Sequence, residues 1–273
     1  MGTATLDAPA GRNGLHAALR LLWVTVFIAF VLSLLALPFL DMPWWKILRR
    51  CASISATLSL LWCVHFKENR SLASYGLAWS RSALGELQMG IAAGAIGLGF
   101  LLAVGFLTGA YHISLYPDRL KLWRVLITFM PMALLVGVLE ELFFRGYLFG
   151  NLKLLSPKLA VILSSALYSI VHLRTFEFQA SVVRELIGLF LLGSILCLSY
   201  LWTKRLWLAI GLHAVLAYGA RVNKLVLGIA HLDPAWLMGT SRLINGAAGW
   251  VSLILVALAI GLVLNRKRGV GQA

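Results

Sequence analysis

Charge is what this 273-residue sequence most lacks: Asp, Glu, Lys and Arg make up only 12% of it, and ten residues are acidic. Soluble domains carry about 25% charged residues. That shortage excludes a disordered chain and an ordinary soluble enzyme. Cysteine is scarce as well. Cys51, Cys63 and Cys197 each lie in or beside an apolar run, and none belongs to a CxxC pair. A disulfide framework and a cysteine-rich zinc site are therefore excluded, and the three thiols read as small buried apolar groups. There is no internal repeat and no low-complexity segment.

What is present is apolar length. Hydrophobic residues account for 60% of the chain, and the mean hydropathy is +0.88. That content fills roughly eight spans of about 20 residues each. The runs are long and unbroken, whereas a transmembrane barrel shows short alternating segments. The expected fold is all-α, a polytopic membrane protein of about eight transmembrane helices with no sheet. The net charge of +14 could suit nucleic acid. The cations, however, sit in ones, twos and threes between apolar runs, as at Lys46, Arg49 and Arg50, or Arg266, Lys267 and Arg268. That pattern suits lipid headgroups, so membrane lipids and not nucleic acid are the expected partners.

Residues 1–20 read as a polar N-terminal tail, 21–264 as a single transmembrane helical domain, and 265–273 as a basic C-terminal tail. The first run, Leu21 to Leu40, is too long for a signal peptide and further spans follow it. Further runs cover about Arg50 to Phe66, Leu87 to Tyr111, and Trp123 onward, with Pro131 expected to kink the last. The remainder are Pro157 to Leu173, Val182 to Trp202, Leu206 to Tyr218 and Ala247 to Leu264. Lys67 to Glu86 and Arg221 to Asn245 read as connections. Lys and Arg divide almost evenly between the two sides. The basic C-terminus tips the reading toward both termini in the cytoplasm, with the protein in the cell membrane if the source is prokaryotic.

A charge in the bilayer core costs at least about 2.5–3.5 kcal/mol, so each one there needs a partner or a function. Of the ten acidic residues only Glu140 and Glu141 lie deep in a long apolar helix. His172 and His213 sit in or at the end of later runs, while His16, His112 and His231 read as interfacial or loop residues. If the fourth and fifth runs form a hairpin turning near Ser156, Glu140 and His172 each lie about 24 Å from the turn, at matching depth. His213 follows the next turn on that side by about 13 Å. One carboxylate and two imidazoles are thus expected to converge inside the bilayer. Glu141 and Arg145 are spaced i,i+4 and pair on one helix face, leaving Glu140 free about 100° away. A partly desolvated carboxylate beside histidine suits general-base activation of water. The same three side chains could instead hold a divalent metal such as zinc, although the spacing is not HExxH.

These residues carry a resemblance. Glu140-Glu141-Leu142-Phe143-Phe144-Arg145 is similar to the EExxxR motif of the CPBP intramembrane proteases, which include type II CAAX prenyl endopeptidases and abortive-infection proteins. Tyr168 to His172 resembles the family's FxxxH motif with Tyr in place of Phe, and Gly211 to Ala214 resembles the third, histidine-bearing motif. The resemblance covers about residues 123–219. It implies an endopeptidase that cuts a membrane-embedded or lipid-anchored polypeptide, with Glu140 and His172 activating water. In that frame His213 stabilises the oxyanion or binds a metal, and Glu141 and Arg145 brace the helix. Metal-dependent and glutamate-only mechanisms both stay open.

One position departs from the family pattern. Four residues after His213, where Asn or Asp is usual, stands Ala217, which can donate no hydrogen bond. Tyr218 and Asn223 are the candidate substitutes. Two other functions follow from these residues: a catalytically silent membrane scaffold, which Ala217 favours, and a transporter using Glu140 and the histidines as a proton relay. The repeat halves and paired broken helices that would mark a transporter are absent from the sequence.

Overall fold

The computed structural model describes residues 8–173, 179–230, 235–239 and 243–270; His231 lies outside them. Its eight long helices correspond to the eight apolar runs: α1 Ala8–Ala36, α2 Trp44–Trp62, α3 Arg81–Leu107, α4 Arg119–Glu141, α5 Pro157–Val171, α6 Ala180–Thr203, α7 Trp207–Val226 and α8 Ala247–Val270. Among the described residues six stretches are long and apolar enough to cross a membrane, and the 15-residue α5 is a shorter apolar helix. α7 is 20 residues long but carries His213, Arg221, Asn223 and Lys224. The protein is an all-α integral membrane protein. Large side chains such as Trp23, Phe39 and Leu107 stand exposed on the outside of the bundle, which is where lipid tails replace water as the solvent.

Helix ends follow local chemistry. Ser80 caps α3 by accepting from the Ala83 N–H at 3.2 Å, and Asp118 caps α4 by accepting from Lys121 N–H at 2.9 Å. Ser156 caps α5, whose first residue is Pro157, where the missing N–H is harmless. α1 starts at Ala8, within the segment that reads as a polar tail. Its first turns bury Ala17, Ala18 and Leu21, so packing orders a stretch too polar to look like a span. α8 likewise continues into the basic C-terminal segment. Pro131 lies inside one continuous helix. Beyond α4, Leu142–Phe149 is a buried π-helix. Such widened turns frequently mark functional sites.

α3 and α7 pack at the centre with glycine against backbone. A Cβ on Gly90 would meet Leu208 O, and one on Gly211 would meet Leu87 O, inside any possible contact distance. Only residues without side chains let two backbones come this close. Where α3 and α7 end, Tyr111–Ile113 pairs antiparallel with Leu227–Ile229. This three-residue ribbon is the only β structure among the described residues. It was not expected from the sequence, and it joins the ends of two helices that already lie side by side.

A polar cluster ties α1 and α2 to the π-helical end of α4. Glu68 Oε1 accepts from Tyr147 Oη at 2.5 Å and from Arg20 Nη2 at 3.2 Å, and Glu68 Oε2 accepts from Tyr75 Oη. Burial and the neighbouring carboxylate push the Tyr75 hydroxyl well above its ordinary pKa. Glu68 reads as a loop residue in sequence; Tyr75 nearby and Arg20 and Tyr147, distant in the chain, make it a half-buried packing element.

Candidate active site

α4 delivers two adjacent glutamates that point to different neighbours, because successive helical residues diverge by about 100°. Glu141 faces inward and is fully buried with Arg145. Arg145 Nη1 donates to Glu141 Oε1 at 3.0 Å, and its Nη2 donates to the Gly193 carbonyl of α6 at 3.2 Å. The guanidinium also lies 4.5 Å from the centre of the Tyr168 ring. A planar cation with one carboxylate, one carbonyl and an aromatic face is compensated even in this dry interior.

Glu140 faces the other way, into a cavity of about 230 Å³ that it lines together with Tyr168, His172, His213 and Ala217. Its Oε2 lies 3.3 Å from His172 Nε2 and 3.6 Å from His213 Nε2. Both imidazoles are aimed from behind. His172 terminates α5, and its Nδ1 is 2.8 Å from the Tyr168 carbonyl one turn earlier. A carbonyl can only accept, so Nδ1 is the donor and Nε2 is turned to Glu140. The Tyr168 ring packs on that imidazole with centroids 4.2 Å apart. His213, on α7, has its Nδ1 2.6 Å from Glu141 Oε1. Four helices, α4 to α7, thus build one cluster, in which Glu140 and His172 are each about 29% exposed and His213 is buried. The exposed part of Glu140 is the rest of its side chain, because the Oε2 that faces the imidazoles is itself closed off.

All five residues expected from the sequence are therefore brought together: Glu140, His172 and His213 around one carboxylate oxygen, Glu141 and Arg145 behind them. Glu141 does more than brace a helix, since it is also the anchor of His213. That contact joins residues 72 apart in the chain and has no local signal in the sequence. Of the other histidines, His16, His65 and His112 are exposed and away from the cluster.

Residues 121–219 match the family model described as type II CAAX prenyl endopeptidase, Rce1-like. The match begins just after the α4 cap and ends six residues beyond His213, so it covers the four helices that form the cluster. That match, over just over a third of the chain, supports membership of the CPBP family. No curated protein matches the chain. The family implies a membrane setting and a membrane-associated polypeptide substrate.

Among the described residues no three His, Cys, Asp or Glu side chains are disposed to hold a metal ion. The two Nε2 atoms face the Glu140 oxygen, while Tyr168 O and Glu141 fix the rings through Nδ1. Ala217 presents only a methyl group to the cavity. Tyr218, a candidate substitute donor, gives its hydroxyl to the Leu126 carbonyl at 3.0 Å and does not line the cavity. Asn223, the other candidate, does line it, though ten residues further along α7.

Proposed function

We propose that this protein is an intramembrane endopeptidase that hydrolyses a peptide bond of a membrane-embedded or lipid-anchored polypeptide. The observation that carries the reading is the Glu140 oxygen facing two imidazole Nε2 atoms at 3.3 and 3.6 Å on the wall of a cavity. Glu140 Oε2 and His172 Nε2 are both lone-pair acceptors when His172 keeps its proton on Nδ1. A water on the exposed part of the Glu140 carboxylate can donate a hydrogen to it, which turns the water's own lone pair to a carbonyl carbon. Glu140 takes the proton as the water adds, and returns it to the amine as the peptide bond breaks. His213, donating from Nδ1 to Glu141, offers Nε2 to the oxyanion when it carries a second proton. Glu141 and Arg145 hold His213 and the helix in register. In this reading residues 21–264 act as one transmembrane unit, both termini are cytoplasmic, and the substrate is cut at the cell membrane.

The test is cleavage of a fluorogenic membrane peptide by the full-length protein in liposomes. Glu140→Gln is expected to lower turnover by roughly 10²–10⁴-fold, the usual worth of a general base. Its thermal stability should stay near wild type, since Glu140 stands on the cavity wall. Undiminished turnover in that variant refutes the mechanism. The Ala217 methyl favours a second reading, a silent scaffold in the membrane. That reading holds if wild-type protein cleaves no membrane peptide and the Glu140→Gln variant supports growth and membrane composition like wild type.

A further inference from the structure

The cavity has a linear floor. His213, Leu216, Ala217, Ala220, Asn223 and Lys224 all line it, and they succeed one another along one stripe of α7. At 1.5 Å per residue Asn223 lies about 15 Å from His213. The floor therefore has an imidazole at one end, two alanine methyls in the middle and a carboxamide at the other end. Where the family pattern has Asn or Asp, Ala217 keeps the middle low and apolar.

Asn223 is 7% exposed, and its Oδ1 has no hydrogen-bond partner among the described residues. A buried carbonyl oxygen left unpaired is costly and rare in native structures. The orphaned atom is itself closed off, but its side chain lines the cavity holding the Glu140 cluster, and a turn about the soft Cβ–Cγ torsion of the carboxamide brings Oδ1 to a donor placed there. What it lacks is a donor, and the donor a polypeptide repeats at every residue is its backbone N–H. We infer that Asn223 forms a distal subsite that accepts a backbone N–H of the substrate polypeptide. This rests on the endopeptidase reading and extends it. An extended chain rises about 3.3 Å per residue, so about 15 Å places that N–H four to five residues from the scissile bond. The side walls between the two ends include Leu98, Leu101 and Leu189. The bound segment is accordingly extended and carries apolar side chains.

The experiment is an N-methyl scan. A membrane peptide is made in versions that each replace one backbone N–H by N–CH₃, from one to seven residues from the scissile bond on either side. Each version is assayed with full-length protein in liposomes. For wild type, KM is expected to rise roughly three- to tenfold at the position four or five residues away, with kcat little changed, as for loss of one neutral hydrogen bond. Asn223→Leu should raise KM of the unmethylated peptide by a similar factor, and methylation at that position should then add nothing. Asn223→Asp keeps the acceptor and should keep the sensitivity; it also serves if the leucine variant folds poorly. Cleavage by wild type with no position whose methylation effect depends on residue 223 overturns the subsite. A parallel set measures binding of the same peptides to Glu140→Gln protein. If nothing is cleaved but binding shows the Asn223-dependent position, the subsite stands and the endopeptidase reading falls. If neither cleavage nor binding shows it, both fall.

Discussion

Replacing Glu141 by glutamine removes a charge from the driest part of the molecule while keeping the shape and one acceptor oxygen. Glu141 and Arg145 both have no solvent exposure, and Oε1 serves Arg145 at 3.0 Å and His213 at 2.6 Å. The substitution leaves a fully buried guanidinium without its adjacent counter-ion. Breaking a buried pair from one side costs about 3–5 kcal/mol, against about 1 kcal/mol or less for an exposed pair. At about 2–4 °C per kcal/mol for a chain of this size, the loss of melting temperature should be on the order of 10 °C. Thermal denaturation of detergent-solubilised protein, followed by size exclusion of the soluble fraction, measures it. A companion variant sharpens the test. Glu141→Leu with Arg145→Met removes both charges, and should recover much of the stability because no uncompensated ion remains. It should not recover peptide cleavage, since His213 has then lost its anchor. A drop below about 3 °C for Glu141→Gln would mean that the pair is solvated, as exposed pairs are, and would refute the buried-brace argument. Recovery of cleavage in the double variant would refute the role of Glu141 in orienting His213.

The departure at Ala217 supplies a gain-of-function test: Ala217→Asn places a donor on the cavity wall and is expected to raise kcat of the model peptide by about tenfold or more, less than the roughly 10²–10³ a built-in oxyanion donor is worth; unchanged kcat would mean that the oxyanion does not form next to this turn of α7. Tyr218→Phe, by contrast, is expected to leave kcat within about twofold, because its hydroxyl is spent on Leu126 O; a tenfold loss would show that it leaves that carbonyl during catalysis. Gly90→Val is expected to abolish folded protein in membrane expression, since its Cβ would strike the Leu208 carbonyl of α7 and neither backbone can yield. Wild-type yield from that variant would show that α3 and α7 are not held in this close contact.

Several features need no tertiary information. The helical membrane class follows from apolar run length, because an unpaired backbone in lipid leaves helices as the economical solution for long unbroken runs. The Glu141–Arg145 pair follows from i,i+4 spacing, and the divergence of Glu140 follows from the helical angle of neighbouring residues. Matching depths of Glu140 and His172 follow from counting residues to a shared turn. Other features arise only when distant segments meet. The anchoring of His213 by Glu141 depends on α7 packing beside α4 at Gly137, where an added Cβ would lie 3.2 Å from Ile210 O, and the value of that glycine is invisible until the facing backbone is known. Glu68 reads as a loop acid, and becomes half-buried only because Arg20 and Tyr147 arrive from two other segments to join Tyr75 of its own connection. The length of α7 is decided in the same way. Arg221, Asn223 and Lys224 lower the hydropathy after Tyr218 and suggest a connection, yet the helix runs on to Val226, where the ribbon with Tyr111–Ile113 begins. That extension carries Asn223 to the far end of the cavity. Hydropathy reports what a residue costs in lipid; whether it faces lipid, a cavity or a neighbouring helix is decided by the packing of the other helices around it.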